Sequence, residues 1–374
     1  MNEYNKPLFD KMLSKPLEFD SNDFDALILS YLSPLTNKYN VQEALKDLRE
    51  CVRQIYDLNE ESLRQTSNAN TGTIGKLNRR STRLRQKNYF KRIVNQKPDM
   101  QYIRIYAEGD SWFLFPTFVK DIIDWLEKNE NYLIYSDAYG GDWITNILYE
   151  GQYIEALSIH APDVFLISGG GNDLVGNNRM AVMVSSNGNQ KPKHNEQTLT
   201  HLKEEERKLI LMSQKYITKD FYSFIWTMKA QYTLLFKGIY NNTSKFSDMI
   251  SITQGYAYPY PKKGNNFSCR YPIQPIVNSF LGTGKWLFRP LMIKGILDTQ
   301  LQRAIVMTFI YEFNEMLIDV ARNFINVYHI DCRDIPKRQE DWFDELHLKS
   351  HKFKEVAARF KDLIDEKMKR AIIN

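Results

Sequence analysis

The chain has few cysteines for its length, since its 374 residues include only Cys51, Cys269 and Cys332. Their number is odd and no two form a Cys-x-x-Cys pair, which argues against a disulfide framework or a zinc knuckle. No apolar run approaches the roughly 18 residues of a membrane span. A proline and several charged residues occupy residues 1–15, where a secretory signal would have its apolar core. These absences predict a cytoplasmic protein whose cysteines are buried or incidental thiols.

Acidic residues are absent from residues 76–97, although the net charge of the whole chain is only +5. This basic segment holds nine cationic side chains: Lys76, Arg79, Arg80, Arg83, Arg85, Lys87, Lys91, Arg92 and Lys97. Such a run can attract the phosphates of nucleic acid or of an anionic membrane. A solvated linker or helix face is the more common alternative, because only Tyr89 and Phe90 place aromatic rings among the charges. Both interpretations stay open.

The N-terminal part of the chain is predicted to be helical. Hydrophobic residues at 43% and charged residues at 25% are typical of a globular protein. An apolar stripe recurs at steps of three and four residues, as expected for a helix packed along one face: Val41, Leu45, Leu48, Val52 and Ile55. A polar, glycine-containing stretch at 66–75 ends this pattern. We therefore predict that residues 1–100 form a helical extension and a basic linker without a catalytic role.

Residues 101–374 show the alternation of strands and helices that is typical of an α/β fold. Strands are predicted at about 102–107, 132–136, 163–168, 249–256 and 326–330. Between them, helices are expected to open near residue 116 and to run over about 143–160, 196–237 and 301–324. This alternation predicts a parallel sheet with helices on both faces. The chain between Asp173 and Asp344 is longer than a βα repeat needs, which predicts an inserted cap at about 180–300.

Ser111 follows the first predicted strand in the run Glu108-Gly109-Asp110-Ser111-Trp112. A serine hydroxyl becomes a good nucleophile when an imidazole takes its proton and a carboxylate holds that imidazole. His347 has Asp344 three residues before it, and residues three apart on a helical turn face the same way. The pattern predicts Ser111, His347 and Asp344 as catalytic residues.

Glycines and an asparagine follow the second and third predicted strands. The first group contains Gly140-Gly141-Asp142, and the second contains Gly170-Gly171-Asn172-Asp173. Acyl transfer needs hydrogen-bond donors for the oxygen that becomes negative in the tetrahedral intermediate. We predict an oxyanion hole made of the Ser111 N–H, the Gly141 N–H and the Asn172 amide. As alternatives, the glycines could be turn residues only, and Asn172-Asp173 could be a helix cap.

These four blocks, in this order, resemble those of the SGNH (GDSL) hydrolase superfamily over about residues 100–370. The resemblance implies the SGNH-hydrolase fold, a flavodoxin-like parallel sheet with helices on both faces, and a serine esterase or lipase. It gives Ser111 the role of nucleophile, Gly141 and Asn172 those of oxyanion donors, and Asp344 and His347 those of its triad partners. In two departures, Trp112 replaces a small aliphatic residue and Leu348 replaces a frequent proline.

Other chemistries fit the sequence less well. His347 and His351 stand four apart but lack the glutamate of a His-Glu-x-x-His metal site, and no glycine-rich run has the spacing of a nucleotide loop. We expect neither a metal nor a nucleotide cofactor. The substrate could be a simple carboxylic ester, an acetylated glycan or a phospholipid, with Trp112, Phe113 and Trp143 expected along an apolar acyl pocket. The chain could also be an inactive hydrolase-fold module whose basic segment binds nucleic acid or anionic membrane.

Overall fold

A computed structural model of the protein describes residues 5–31, 41–58, 72–115, 119–175, 178–240, 245–263 and 284–373. Within these ranges, one sheet is formed by β1 (Ile103–Gly109), β2 (Tyr132–Ser136), β3 (Val164–Ser168), β4 (Ile250–Gln254) and β5 (Val327–Ile330). The strand order is β2-β1-β3-β4-β5, and all neighbouring strands are parallel. This is the flavodoxin-like order, so the predicted α/β class is confirmed.

Helices surround the sheet. In chain order they are α1 (Lys6–Ser14), α2 (Ser21–Leu29), α3 (Val41–Tyr56), α4 (Gly72–Val94), α5 (Ile122–Leu126), α6 (Ile144–Glu150), α7 (Gln152–His160), α8 (Gly171–Leu174), α9 (Glu204–Ser213), α10 (Lys219–Tyr240), α11 (Phe288–Ile293), α12 (Thr299–Arg322) and α13 (Ser350–Ile373). Every residue of β3 and β4 is buried, as expected for parallel strands covered on both faces.

The first three strands end at the same edge of the sheet. In the pairing register, Ala107 of β1 lies beside Ser136 of β2 and Leu166 of β3. The chain leaves β1 in one direction to form β2 and later returns on the other side to form β3. Ligand sites of such folds lie where the connections diverge, outside the carboxyl ends of the strands. Ser111, Gly141 and Asn172 all follow this edge.

Three predicted helices have different limits in the structure. The helical stretch expected over 196–237 is divided into α9 and α10. The helix expected over 143–160 is divided into α6 and α7 by Gly151, which adopts a φ of +67° in the left-handed region. The helix expected to open near residue 116 begins instead at Ile122, where the Asp121 carboxylate accepts the N–H of Asp124 as a cap. Residues 116–118 lie outside the described residues.

The N-terminal helices pack against the rest of the molecule. Phe9, Met12 and Phe24 share a buried cluster with Ala230 and Leu234 of α10. The predicted apolar stripe of α3 also contributes to the main core through Leu45, Val52 and Ile55. Cys51 and Cys332 are buried free thiols, and Cys269 lies outside the described residues. A domain division near residue 100 stays a prediction.

Most of the basic segment is helical, since residues 72–94 form α4, so these residues are not a linker. Arg85 is buried and forms ion pairs with Asp121 and Asp124 at 2.6 and 2.8 Å. Arg92 donates to the carbonyl oxygens of Asn129 and Tyr132. These two of the nine basic residues therefore hold α4 in place.

The predicted insertion at about 180–300 contains parts of the central fold. Both α10 and the central strand β4 lie inside that range. A single inserted cap therefore does not fill residues 180–300, because the chain within this range returns to the central sheet as β4. None of the helices in the described ranges combines the length and apolar character needed to cross a bilayer.

Candidate active site

Backbone hydrogen bonds close the turn that carries Ser111. The Asp110 N–H donates to the Ser168 carbonyl at 3.0 Å, and the Asp110 carboxylate accepts the Trp112 N–H at 3.0 Å. Gly109 is required by close packing, because a Cβ atom there would lie 2.4 Å from the Ser168 carbonyl oxygen. The turn is thus tied to the end of β3 and presents Ser111 at the sheet edge.

Ser111, His347 and Asp344 form a hydrogen-bonded chain. His347 Nε2 lies 2.7 Å from Ser111 Oγ, although 236 residues separate them in the sequence. His347 Nδ1 lies 2.8 and 3.0 Å from the two carboxylate oxygens of Asp344. The side chains of His347 and Asp344 are buried, whereas Ser111 is partly exposed. The structure therefore brings together the three residues predicted as catalytic.

The expected helical spacing of Asp344 and His347 is not the reason that they meet. They lie in a turn in which the Phe343 N–H donates to the His347 carbonyl at 2.8 Å, and α13 begins only at Ser350. The Asp344 carboxylate also accepts the backbone N–H groups of Leu346 and His347 at 2.7 and 2.8 Å. These bonds fix the carboxylate beside the imidazole.

Trp112 connects the serine turn to the histidine turn. Its indole N–H donates to the Leu346 carbonyl at 3.1 Å, and its ring meets the Tyr256 ring edge-on with centroids 5.3 Å apart. The ring of Phe115 packs on the His347 imidazole at a centroid distance of 4.6 Å. Trp112 is one of the departures from the resembled family. In the structure it links the chain that follows β1 to the C-terminal turn that contains Leu346.

Gly141 and Asn172 lie on turns that are bonded to each other. Gly141 has a φ of +92°, a conformation that favours glycine. Asp142 follows Gly141 in the chain, and its carbonyl accepts a hydrogen bond from the Asn172 side-chain amide at 3.0 Å. Asn172 lines the same pocket as Ser111, whereas Gly141 is not among the residues that line it. The oxyanion role of these residues stays a prediction.

Asp173 has a structural role that the sequence interpretation allowed as an alternative. Its buried carboxylate accepts the N–H groups of Ile144 and Thr145 at the start of α6, at 2.9 and 3.2 Å, and the Thr145 hydroxyl at 2.8 Å. Burial raises its pKa to about 6, against the opposing effect of these donors. The Asp173 carbonyl accepts the Tyr56 hydroxyl at 2.7 Å, so the N-terminal helix α3 contacts the short helix α8, which carries Asn172.

Tyr256 is a site residue that the sequence analysis missed. Its buried hydroxyl donates to Asp110 Oδ2 at 2.5 Å and accepts the Gly171 N–H at 2.9 Å. Burial raises the pKa of Tyr256, so the hydroxyl keeps its proton and can donate to the carboxylate. Its position just after a strand, like that of Ser111 and Asn172, is the signal that could have identified it.

A narrow cavity of about 50 Å³ opens at Ser111. Its walls are largely apolar and comprise Asp110, Ser111, Trp112, Gly170, Gly171, Asn172, Leu174, Val175, Met180, Tyr256, Ala257, Pro259, Leu287, Val306, Phe309, Ile310, Phe313, Trp342 and Leu346. Of the three aromatic residues expected there, only Trp112 is present. Phe113 packs against Phe360 with centroids 5.9 Å apart, and the Arg179 guanidinium lies 4.0 Å from the Trp143 ring centroid.

His351, considered as a metal ligand, points away from this arrangement of residues. Its Nε2 lies 3.9 Å from Asp341 Oδ1, and its side chain is 61% exposed. Across the described ranges of the chain, no group of three histidine, cysteine, aspartate or glutamate side chains could hold a metal ion.

No protein-family model matches the sequence, and no curated protein matches it significantly. Among solved structures, a family 3 carbohydrate esterase of Clostridium thermocellum is 14% identical, with 73% of this chain and 100% of that chain covered and a TM-score of 0.38. A GDSL-like lipase of Parabacteroides merdae, described as putative, is 13% identical, with coverages of 70% and 96% and a TM-score of 0.35. A catalytic mutant of an acetylxylan esterase from Geobacillus stearothermophilus is 10% identical, with coverages of 71% and 94% and a TM-score of 0.34. At such low similarity the activities that these names state belong to those proteins alone.

Proposed function

We propose that this protein is a serine hydrolase of carboxylic esters of the SGNH type. The observation that carries the proposal is the unbroken hydrogen-bonded chain from Ser111 Oγ through His347 to Asp344. A hydroxyl, an imidazole and a carboxylate in this order are the parts that nucleophilic acyl transfer needs.

In the proposed first half-reaction, Ser111 Oγ attacks the carbonyl carbon of the ester while His347 Nε2 accepts the hydroxyl proton. Asp344 keeps its hydrogen bond to Nδ1–H and so stabilises the imidazolium that forms. The tetrahedral intermediate then collapses, and the alcohol leaves with the proton from His347. A water molecule repeats the same steps on the acyl-enzyme, which releases the acid and restores the Ser111 hydroxyl.

The proposed oxyanion donors are the backbone N–H groups of Ser111 and Gly141 and the Asn172 amide. An amide nitrogen carries two hydrogens, and the bond from Asn172 to the Asp142 carbonyl uses one of them. The other remains for the substrate oxygen. The same bond would hold the amide in one orientation before the substrate arrives, which is the preorganisation that such donors need.

A fluorophosphonate probe tests this proposal without knowledge of the natural substrate, because it labels an activated serine. We expect labelling of the wild-type protein and hydrolysis of p-nitrophenyl esters, with both lost in Ser111→Ala. The matched control is Ser186→Ala, which removes an exposed hydroxyl outside the pocket and should leave both readouts unchanged. Ester hydrolysis that survives in Ser111→Ala would reject the proposed nucleophile.

We also propose that the exposed face of α4 contacts an anionic membrane surface. Lys76, Arg80, Arg83, Lys87 and Lys91 are exposed, and no acidic residue lies within the helix. The same face exposes Leu84, Phe90 and Val94, at spacings of three and four residues from these cations. Apolar side chains among cations favour a bilayer interface over a nucleic acid, which would be bound through its phosphates.

Vesicle sedimentation tests this contact. Binding to phosphatidylserine vesicles should exceed binding to neutral vesicles and should weaken in Arg83→Glu/Lys87→Glu. The charge-matched control Lys203→Glu/Lys208→Glu changes exposed residues elsewhere and should bind as the wild type does. Binding to duplex DNA but not to anionic vesicles would instead support a nucleic-acid contact and overturn the membrane proposal.

A further inference from the structure

The pocket beside Ser111 follows one face of α12. Four residues of that helix line it, Val306, Phe309, Ile310 and Phe313, at steps of three and four residues. Phe313 marks the end nearest the candidate oxyanion turn, because a Cβ atom added to Gly170 would lie 2.6 Å from its ring. Val306 is about two helical turns away, which corresponds to roughly 10 Å along the helix axis. The cavity therefore extends away from Ser111 along α12.

Polar groups are concentrated at the Ser111 end of this cavity. Asp110, Ser111 and Asn172 lie there, and the Asp110 carboxylate already accepts the Tyr256 hydroxyl. Apolar side chains outside α12 also line the cavity, among them Leu174, Val175, Met180 and Leu287. A sugar hydroxyl placed among these apolar walls would lose its hydrogen bonds to water without replacement, whereas a hydrocarbon chain gains by leaving water.

The volume of the cavity limits the length of such a chain. A site for one water molecule needs about 10–15 Å³ of this kind of volume. The cavity of about 50 Å³ therefore has room for only a few heavy atoms, and it is much smaller than the apolar cavity of about 150 Å³ that takes a benzene molecule. An acetyl group would leave much of it empty, and a long fatty acyl chain would exceed it.

We propose that the pocket along α12 holds the acyl chain, and that the substrates are esters of short, linear, apolar acids of about four carbons. This inference rests on the proposed ester hydrolysis. Ser111 would attack at the polar mouth, with the hydrocarbon part of the acid between Phe313 and Val306 and the alcohol on the solvent side. Acetylated glycans and long-chain phospholipids would then be poor substrates.

A series of p-nitrophenyl acetate, butyrate, hexanoate and octanoate tests the inference by kcat/KM. The wild type should prefer butyrate over acetate by about tenfold or more, because each methylene in a fitted apolar pocket contributes strongly to discrimination. Val306→Phe adds volume at the far end and should move the optimum toward acetate. Phe309→Ala removes volume and should move it toward hexanoate or octanoate. Opposite shifts from opposite volume changes cannot arise from general damage to the fold.

The control Ile318→Phe adds the same ring on α12 at a position outside the pocket and should keep the wild-type chain-length profile. If Phe309→Ala does not fold, Phe309→Leu tests the same enlargement in a milder form. Fluorophosphonate labelling is measured on every variant. Normal labelling with acetate as the best substrate, or with optima that do not move, would overturn the inference and leave the proposed hydrolase intact. Absence of labelling in the wild type would reject the hydrolase and the acyl pocket together.

Discussion

At the scale of single residues, the site depends on buried polar groups that hold the reacting groups in place. Asp110 precedes the candidate nucleophile, and its carboxylate accepts hydrogen bonds from Tyr256, Trp112 and Ser168. Burial raises the pKa of Asp110, and the donors oppose that rise by stabilising its charged form. The position of Ser111 is therefore determined by the side-chain hydroxyls of Tyr256 and Ser168 and by the backbone N–H of Trp112, which come from the ends of three strands.

Replacement of Tyr256 by phenylalanine should leave Asp110 Oδ2 and the Gly171 N–H without this partner. The expected loss in the free energy of unfolding is about 1–3 kcal/mol, because both groups are buried. We also expect kcat to fall more than KM rises, since the turns of Ser111 and Asn172 lose a shared support. Urea unfolding and steady-state kinetics measure the two effects.

Tyr222 provides the matched control, because its hydroxyl is also buried but has no hydrogen-bond partner among the residues that the structure describes. Tyr222→Phe should be neutral or slightly stabilising, with kinetics unchanged. Equal effects of the two changes would contradict the positioning role of Tyr256.

Replacement of Asn172 by alanine should lower kcat by about 10²–10³ if its amide is an oxyanion donor, with little change in KM. The bond to the Asp142 carbonyl is lost as well, so thermal unfolding is needed to separate a structural effect from a catalytic one. Asn187→Ala removes an exposed amide and is the control. A kcat within a few-fold of the wild type would assign Asn172 to loop structure alone.

At the scale of elements, the C-terminal turn is connected to two separate segments of the chain through Glu345. Its buried carboxylate accepts four backbone N–H groups, from Lys262 at 3.1 Å, Trp286 at 3.0 Å, Leu287 at 3.2 Å and Phe288 at 2.9 Å. Glu345 follows Asp344 in the chain. The same turn therefore contacts the His347 imidazole through Asp344 and the pocket wall at Leu287 through Glu345. This connection couples the pocket to the turn that carries His347.

Replacement of Glu345 by glutamine should break this arrangement, because one of the two acceptor oxygens becomes an NH₂ group that faces backbone donors. Hydrogen bonds to a charged group contribute about 1.5–3 kcal/mol each. We therefore expect stability to fall by about 2 kcal/mol or more, and the chain-length preference to broaden as the wall at Leu287 loosens. Chemical denaturation and the ester series are the measurements.

Glu355→Gln is the control for Glu345. It removes one carboxylate of a solvent-exposed pair with Lys352, and exposed pairs contribute about 0–1 kcal/mol. An effect of Glu345→Gln as small as that of the control would show that the four N–H groups find other acceptors.

At the scale of the whole molecule, buried carboxylates make stability depend on pH. Glu108 lies under the Ser111 turn, where it accepts the Tyr106 hydroxyl at 2.8 Å and the Gly109 N–H at 3.1 Å. Burial, and secondly the charge of Asp137, raise the pKa of Glu108 from 4.5 to about 8. Burial likewise raises the pKa of Asp142 to about 7. The folded protein therefore holds protons that the unfolded chain releases.

The sign of the pH dependence follows from this difference. A carboxyl group whose pKa is higher in the folded than in the unfolded protein stabilises the folded state. This contribution is complete at a pH below the unfolded-state pKa, and it is lost as the pH rises through the folded-state pKa. For Glu108 the window runs from about pH 4.5 to about pH 8. In Glu108→Gln the free energy of unfolding should fall less across this pH window than in the wild type, and the difference should be on the order of a few kcal/mol.

Urea unfolding at pH 5, 7 and 9 measures this slope. Glu155→Gln, at an exposed position on α7, should reproduce the wild-type slope. A variant at Glu108 with an unchanged slope would show that this carboxyl does not hold a proton in the folded protein at neutral pH.

Much of the fold could be predicted because it follows from local periodicity. The apolar run of β3 and the stripe of α3 carry their own signals of strand and helix. The limits of the helices were less predictable. Gly151 separates α6 from α7, and α5 begins only at Ile122, after its cap residue Asp121. The range given to the insertion was too broad, because the strand predicted at 249–256 lies inside it and forms β4 of the central sheet.

The sequence by itself determined the alternation of strands and helices, and it placed Ser111, Gly141 and Asn172 after strands, because these properties depend on residues close together in the chain. Only the tertiary structure decided that His347 lies 2.7 Å from Ser111 across 236 residues. It also decided that Tyr256, Trp112 and Glu345 support these turns and that α12 lines the pocket. Such contacts depend on how distant segments pack, and no local pattern of residues encodes the distance between them.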